Sequence, residues 1–538
     1  MRMSRAPLVV AAAALTVLLM PGSAARADTA PKQGYMVVLA GNTTADGTFT
    51  ISEASRQAAL KLLIDSGARV VQDMSRDIGV VYVTASSAGF LSQISGSSLI
   101  EAAGGNLAFQ GIPAGSTDFE TLAAPPPPED GEPAEPEQSA DPLEALQWNM
   151  KLIRACSMND DGCQTGGAHD HQTGRREVEV GIIDSGIDGN HTDFKDEAGL
   201  STNVDCSKGR DSLAAAPPTD PVTGLPVAVG TPGACNDNQF HGTHVAGIVA
   251  AQANGRGLVG VAPNVTLIPV KVCDTAGYCY ASAVVDGIYW SAKNRFEAIN
   301  MSLFVDDDQF LTSTEFKCSN NPPQRAFRHA VERAIQFARQ QGVTPVAALG
   351  NSAADLAHPP EPNENNCDVV PAETQGVIGV SALIGTSTLA SYSNYGVGMN
   401  DLASPGGSAN RCGTQAPAPA GPAGVLSTIP GSLYGCFSGT SMASPHATGV
   451  AALIISQFGR PTTYDHDGNK LTPPLPDWDM QPQQVENYMQ STTIDIGLEG
   501  YDECYGNGRT DALKAVLHDT QNIYEPRTCQ YYAVQPSE

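Results

Sequence analysis

An acid, a base and a nucleophile each sit where an apolar run meets a turn. Asp184 ends the run VEVGIID and is followed by Ser185-Gly186. His241 opens HGTHVAGIVAA. Ser441 lies in FSGTSMASPHATGVAALI, where small polar residues lead straight into an apolar stretch. Serine is a weak nucleophile at its own pKa. A histidine must take its proton, and a carboxylate must hold that histidine in one tautomer. Singly, each residue has a bland reading. Asp184 is then a turn former, Ser441 a helix N-cap, and His241 a structural or solvated helix-start residue. Together, with their flanking glycines and alanines, they point to nucleophilic catalysis.

Such residues need a rigid support. EVEVGIID, NVTLIPVKV, EAINMSL, GVTPVAALG and QGVIGVSAL read as apolar strands. ASAVVDGIYWSAK and QRAFRHAVERAIQFARQQG read as helices between them. Continuous apolar strands alternating with helices imply an α/β fold, a mainly parallel sheet between helix layers. Ligands bind outside the carboxyl ends of such strands, where Asp184 falls. Ser441 is expected at a helix N-terminus, which favours developing negative charge. Pro445 is expected in the first turn of that helix, where its missing N–H has no partner.

VGIIDSGIDGNHTDF, HGTHVAGIVAA and SGTSMASPHATGVAAL resemble the three signature segments of the subtilisin-like serine protease family, in that family's order Asp, His, Ser. PVAALGN resembles the family's strand ending in the oxyanion-hole asparagine, here Asn351. TLIPVKVCD, AINMSL, VIGVSAL, ASYSNYG, DLASPG and YGNGRTDALKAV extend the likeness over roughly residues 143–518. The resemblance implies a serine endopeptidase with Asp184, His241, Ser441 and Asn351 as catalytic residues. It implies peptide or protein substrates held between two strand edges, Gly277-Tyr278-Cys279 and Ser302-Leu303. Ala348 and Gly350 would border the main specificity pocket. His244 and His446 are read as structural. After Leu303 the family pattern calls for glycines, but this chain has Phe304-Val305-Asp306-Asp307-Asp308. Phe304 is expected to narrow the pocket or redirect the loop. The acidic triplet reads as a solvated loop, as a bias toward basic substrates, or as oxygen ligands for a structural calcium. No cofactor is required for the chemistry. Rival readings are an inactive subtilisin scaffold used for binding, supported by Phe304, and a metal hydrolase built on His241 and His244, which lacks an HExxH motif.

Composition narrows the setting. The 538 residues carry a formal net charge of -27, which argues against nucleic acid as a partner. Arg2, Arg5, an apolar run over 8–20 and Ala25-Arg26-Ala27 read as a secretory signal, residues 1–27, too short for a membrane span. The protein is therefore expected outside the cell, as a monomer. The 12 cysteines all lie from Cys156 onward, and an even count in an exported chain implies disulfides. Short loops favour Cys156–Cys163, Cys273–Cys279 and Cys412–Cys436. Sequential pairing adds Cys206–Cys235, Cys318–Cys367 and Cys504–Cys529. Stretches 206–235, 310–323 and 411–424 read as insertions relative to compact family members, each disulfide staple being worth about 2–4 kcal/mol.

Residues 28–122 carry a β-α-β-β-α-β pattern: YMVVL, ISEASRQAALKLLIDSG, ARVVQDM, IGVVYVTAS, AGFLSQIS and SLIEAA. This predicts a small ferredoxin-like α+β domain. It resembles the family's inhibitor-type propeptide, which implies an intramolecular inhibitor of the catalytic domain. Residues 123–142, AAPPPPEDGEPAEPEQSADP, are rich in proline and acid and read as an exposed linker. Residues 143–538 form the expected catalytic domain.

Overall fold

The structure is a computed structural model that describes residues 32–44, 47–86, 89–112, 119–123, 141–157, 166–215, 217, 230–303, 321–357, 368–412, 423–461 and 478–529. The signal and most of the linker lie outside these residues.

The N-terminal domain has the predicted order: β1 (Lys32–Leu39), α1 (Glu53–Asp65), β2 (Arg69–Met74), β3 (Val80–Ser86), α2 (Phe90–Ile94) and β4 (Ile100–Gly105). Its antiparallel sheet runs β2-β3-β1-β4, the strand order of a ferredoxin-like fold. Side chains alternate across β1 with period two. Tyr35, Val37 and Leu39 pack with Ala59, Leu63, Phe90 and Ile94 into the domain's own core. Met36 and Val38 face the other way and join a core shared with the C-terminal domain. Two short strands follow, β5 (Ala108–Gln110) and β6 (Thr121–Leu122).

The C-terminal domain is built on a seven-stranded parallel sheet. Its strands are β7 (Glu179–Asp184), β8 (Arg210–Asp211), β9 (Thr266–Lys271), β11 (Ala298–Met301), β12 (Thr344–Ala348), β13 (Ile378–Leu383) and β14 (Leu402–Pro405), ordered β8-β9-β7-β11-β12-β13-β14. Outside this sheet, β10 (Tyr278–Tyr280) pairs antiparallel with β5. Val180 and Ile182 pack against α3 (His241–Ala250) and the long helix after Gly439, whereas Ile183 faces α4 (Ala281–Asn294) and α5 (Pro322–Gln340). Helices therefore cover both faces, as continuous apolar strands require. β7 lies between β9 and β11, so the connections leave it in opposite directions. Its carboxyl end is a topological switch point.

The hairpin β15 (Val425–Ile429) and β16 (Leu433–Phe437) leads into α6 (Thr440–Phe458). β16 also pairs with β6. Four expected disulfides are present: Cys206–Cys235, Cys273–Cys279, Cys412–Cys436 and Cys504–Cys529. The pairs Cys156–Cys163 and Cys318–Cys367 involve residues outside those described. No helix among the described residues is long and apolar enough to cross a membrane.

The N-terminal domain sits on α4 and α5. Arg333 of α5 donates to the carbonyls of Leu39 (2.9 Å) and Ile78 (3.3 Å), pairs with Glu101, and lies over the Phe49 ring. At the start of α4, Asn106 and Ser282 exchange bonds of 2.9 and 3.0 Å. Farther along, Tyr289 donates to Asp77 at 2.5 Å. Buried charge-assisted bonds of this kind are roughly twice as strong as neutral ones.

Candidate active site

Asp184 is the last residue of β7, and His241 the first of α3. Both are buried, and His241 Nδ1 lies 3.0 Å from each Asp184 carboxylate oxygen. The facing carboxylate fixes the proton on Nδ1 and leaves Nε2 as the proton acceptor. Local sequence sets this up. Phe240 adopts φ +84°, turning the chain into the helix. Asp237 gathers the orphan N–H groups of that turn: Oδ1 accepts from Gln239 and Phe240 at 3.0 Å, and Oδ2 from the Thr243 N–H at 2.9 Å. Ser185 Oγ donates to Asp237 at 2.9 Å and accepts from the Gly242 N–H at 2.9 Å. The residue after the acid is thereby tied to the residue after the histidine. A Cβ on Gly242 would strike the Gly186 carbonyl oxygen, so this approach needs glycine.

Ser441 is the second residue of α6, and its buried Oγ has no hydrogen-bond partner among the described residues. Asn351 follows β12. Its Oδ1 accepts from the Thr440 N–H and the Thr440 hydroxyl, both at 2.9 Å. With the oxygen engaged, the amide Nδ2 remains as the free donor end beside the start of α6. Thr440 Oγ1 also accepts from the Gly350 N–H at 3.1 Å.

Contrary to the expectation from sequence, Pro445 does not lie in the first turn. The helix begins at Thr440, so Pro445 lies inside it, past the first turn. It has no N–H for the Ser441 carbonyl. Ser302 Oγ–H donates to that carbonyl instead, at 2.7 Å. Asn300 Nδ2 donates to Ser302 Oγ at 2.8 Å.

The remaining sequence-predicted residues fall around this centre. Gly277 and Tyr278 lie at the start of the β10 edge, with Tyr278 paired to Gln110. Ser302 and Leu303 are buried just beyond β11, and Ala348 and Gly350 at the end of β12. Phe304 and the triplet Asp306-Asp307-Asp308 lie outside the described residues. So does the one feature that favoured an inert scaffold.

His244 and His446 are each held through their ring nitrogens. His244 Nε2 donates to the Val425 and Gly435 carbonyls (3.1 and 3.0 Å), and its ring stacks on Phe437. Burial holds its pKa down to about 3, so it is neutral. Asn149 donates to His446 Nε2 at 2.8 Å, so Nδ1–H donates to the Met442 carbonyl at 2.7 Å. Burial lowers its pKa to about 4. His244 Nδ1 has no partner among the described residues, but no group of three or more His, Cys, Asp or Glu side chains able to hold a metal occurs among them, so nothing there supports the metal-hydrolase reading. Sequence reasoning missed Asp237, Thr440 and Asn300. Asp237, four residues before the helix, carried an Asx-turn signal; Thr440 and Asn300 matter only through contacts distant in sequence.

The arrangement suits a serine-type endopeptidase, with its polar groups at the carboxyl edge of a parallel sheet. Comparison with known proteins agrees. The Subtilase family model matches residues 175–508, and the chain belongs to that family. Subtilisin DY of Bacillus licheniformis is 32% identical over 365 residues, covering 68% of this chain and 96% of that protein. Subtilisin E of Bacillus subtilis (strain 168) is 28% identical over 365 residues, covering 68% of this chain and 70% of that protein. The crystal structure of the epidermin leader peptide processing serine protease of Staphylococcus aureus matches with TM-score 0.62 at 19% identity, over 92% of this chain and 100% of that one. At that identity the likeness bears on fold alone.

Proposed function

We propose that the protein is a secreted monomeric endopeptidase, made as a precursor that it cuts itself, and that Asp184, His241 and Ser441 form its catalytic triad. The buried Asp184–His241 pair, 3.0 Å apart, carries this reading. Ser441 Oγ attacks the peptide carbonyl carbon as its proton passes to His241 Nε2. The tetrahedral intermediate places its oxyanion at the Asn351 amide and the Ser441 N–H. Its collapse breaks the C–N bond, and His241 returns the proton to the leaving amine. Water repeats the sequence on the acyl-enzyme and releases the acid. Asp184 stabilises the His241 cation. Loss of one oxyanion donor lowers turnover about 10²–10³-fold, a magnitude measured in a subtilisin. No cofactor takes part, and any calcium on Asp306–Asp308 would be structural.

The precursor reading rests on residues 108–122. β5 pairs with the β10 edge, and the Ile112 N–H donates to the Gly277 carbonyl at 3.2 Å. Farther along, β6 pairs with β16, and Phe119 packs on Phe240 and Phe437, next to His241 and just ahead of α6. The segment thus approaches the candidate site as an extended peptide would, by strand addition. Residues 28–122 act as the inhibitor and the segment as the self-cleaved joint.

The test is the intact mass of the secreted protein before and after a serine-directed phosphonofluoridate, beside Ser441→Ala. A single adduct on a shortened chain, absent from a full-length mutant, is expected. Normal shortening of Ser441→Ala in a protease-free host would exclude self-cleavage.

A further inference from the structure

The disulfide Cys273–Cys279 lies within the strand edge that receives the extended segment. Cys279 is the central residue of β10, and both cysteines are fully buried. Gly111, next to β5, lies directly against it. A Cβ placed on Gly111 would come 2.5 Å from Cys279 Sγ and 3.1 Å from Cys279 Cβ. Neither atom can yield: Cys279 Cβ is fixed by the paired strand, and Sγ is bonded to Cys273. A flexible side-chain end would swing aside, but a disulfide sulfur between two strands has no such freedom.

The backbone of Gly111 does not itself require glycine, because its φ lies outside the left-handed region. Lack of space imposes the requirement. Across from it, Gly277 is also a glycine, at φ +83°, and a Cβ there would come 2.9 Å from the Ile112 carbonyl oxygen. The two chains approach through glycine on both sides. The contact is anchored on each flank by the Ile112-to-Gly277 bond and by Gln110, whose side chain donates to the Ala276 carbonyl at 2.9 Å.

We propose that the Cys273–Cys279 disulfide fills the channel at the position taken by Gly111, so that the enzyme selects extended peptides with glycine at that place. This rests on the reading of residues 108–122 as substrate-like. Cys279 then acts as a specificity determinant through the bulk of its bridged sulfur, and the same contact fits the precursor's own segment to the channel.

The test uses the secreted full-length gene product and quenched fluorescent peptides of residues 106–122 carrying Gly, Ala or Val at position 111. kcat/KM is expected to fall about tenfold or more from Gly to Ala, the scale of forcing a methyl group into filled space, and further for Val. In Cys273→Ser/Cys279→Gly protein the ratio of Gly to Ala is expected to shrink below about threefold. Equal rates for Gly and Ala in the parent would overturn the proposal, and so would a preference that survives in the double variant. Should that variant not accumulate, hydrogen exchange in full-length Ser441→Ala protein decides. Adding Gly111→Ala is expected to speed exchange at 108–112 and 278–280 about tenfold or more, by displacing the strand; unchanged exchange overturns the proposal. This readout needs no catalysis. A channel sensitive to Gly111 in a protein that cleaves nothing would count against the protease reading alone.

Discussion

Ser302→Ala, made with and without Pro445→Ala, tests how Ser441 is held. Ser302 Oγ–H donates to the Ser441 carbonyl at 2.7 Å, and Asn300 Nδ2 donates to Ser302 at 2.8 Å. Truncation removes both bonds in a fully buried setting. A buried polar group left without its partner costs about 1–3 kcal/mol. Two such groups give about 2–6 kcal/mol. In Pro445→Ala, residue 445 regains an N–H one helical turn beyond Ser441, and the carbonyl regains a helical donor. Ser302→Ala should then strand only Asn300, and its cost should drop by about 1–3 kcal/mol. The cycle is read from urea midpoints of the phosphonate-inhibited protein, so that self-digestion does not intervene. Turnover of the uninhibited single variant should also fall, because a misplacement of about 1 Å at a nucleophile costs about 10²-fold. Additive effects, with coupling below about 0.3 kcal/mol, would refute the claim that Ser302 replaces the donor Pro445 lacks.

Three further outcomes are expected. Thr440→Val removes one of the two donors to Asn351 Oδ1; kcat should fall about tenfold with KM unchanged, as for an interaction used only in the transition state, and an unchanged kcat would mean that Asn351 needs no such hold. His446 is neutral in the fold, its pKa lowered by burial to about 4 against an ordinary 6.5, so below pH 6.5 the unfolded chain binds a proton that the folded chain refuses. Stability is full above that pH and falls by about 1.4 kcal/mol per pH unit down to about pH 4. The stability gap between the parent and His446→Gln should be about 2 kcal/mol smaller at pH 5 than at pH 8 in urea titrations; a constant gap would contradict it. Arg333→Ala removes the donor to Leu39 and Ile78; the cut N-terminal domain should leave about 30–1,000-fold faster, for a loss of about 2–4 kcal/mol, read as the lag before peptide hydrolysis, and an unaltered lag would place the hold elsewhere.

The sequence made the sheet legible because its strands are long apolar runs closed by Gly, Asn or Asp, as in VEVGIID and PVAALGN. β1 was legible as the apolar run YMVVL, whose two faces the structure separates into Tyr35 and Val37 on one side and Met36 and Val38 on the other. β5 and β6 were not read. NLAFQG and ETL are too short to show a period, and both gain strand form only by pairing with edges far along the chain. The acid, base and nucleophile stood out because each sits at an element boundary, with glycine nearby. Thr440 and Asn300 did not, since a hydroxyl and an amide beside many others become distinctive only when partners converge on them. Pro445 falls past the first turn because the helix opens at Thr440, the residue before Ser441, so the N–H missing at 445 is one that the Ser441 carbonyl would have accepted within the helix.

That proline also explains why the neighbourhood is so rich in small polar residues. A helix-interior proline costs about 3 kcal/mol and frees a carbonyl. Here the freed carbonyl belongs to Ser441, the proposed nucleophile, and the Ser302 side chain just beyond a central strand takes it. Asn300 Oδ1 accepts from Ser444 Oγ at 2.7 Å and Thr448 Oγ1 at 2.9 Å, one turn apart on α6, while its Nδ2 holds Ser302. One asparagine therefore ties two turns of the helix and the Ser441 carbonyl to β11. A regular helix would spend that carbonyl internally, leaving only the Ser444 and Thr448 hydroxyls to hold α6 on Asn300. Breaking the local rule at Pro445 converts an intrahelical bond into a tie between helix and sheet, which fixes where the helix starts. Chains break local rules where function demands it, and here the demand is the position of Ser441 relative to His241 on one neighbouring element and Asn351 on another.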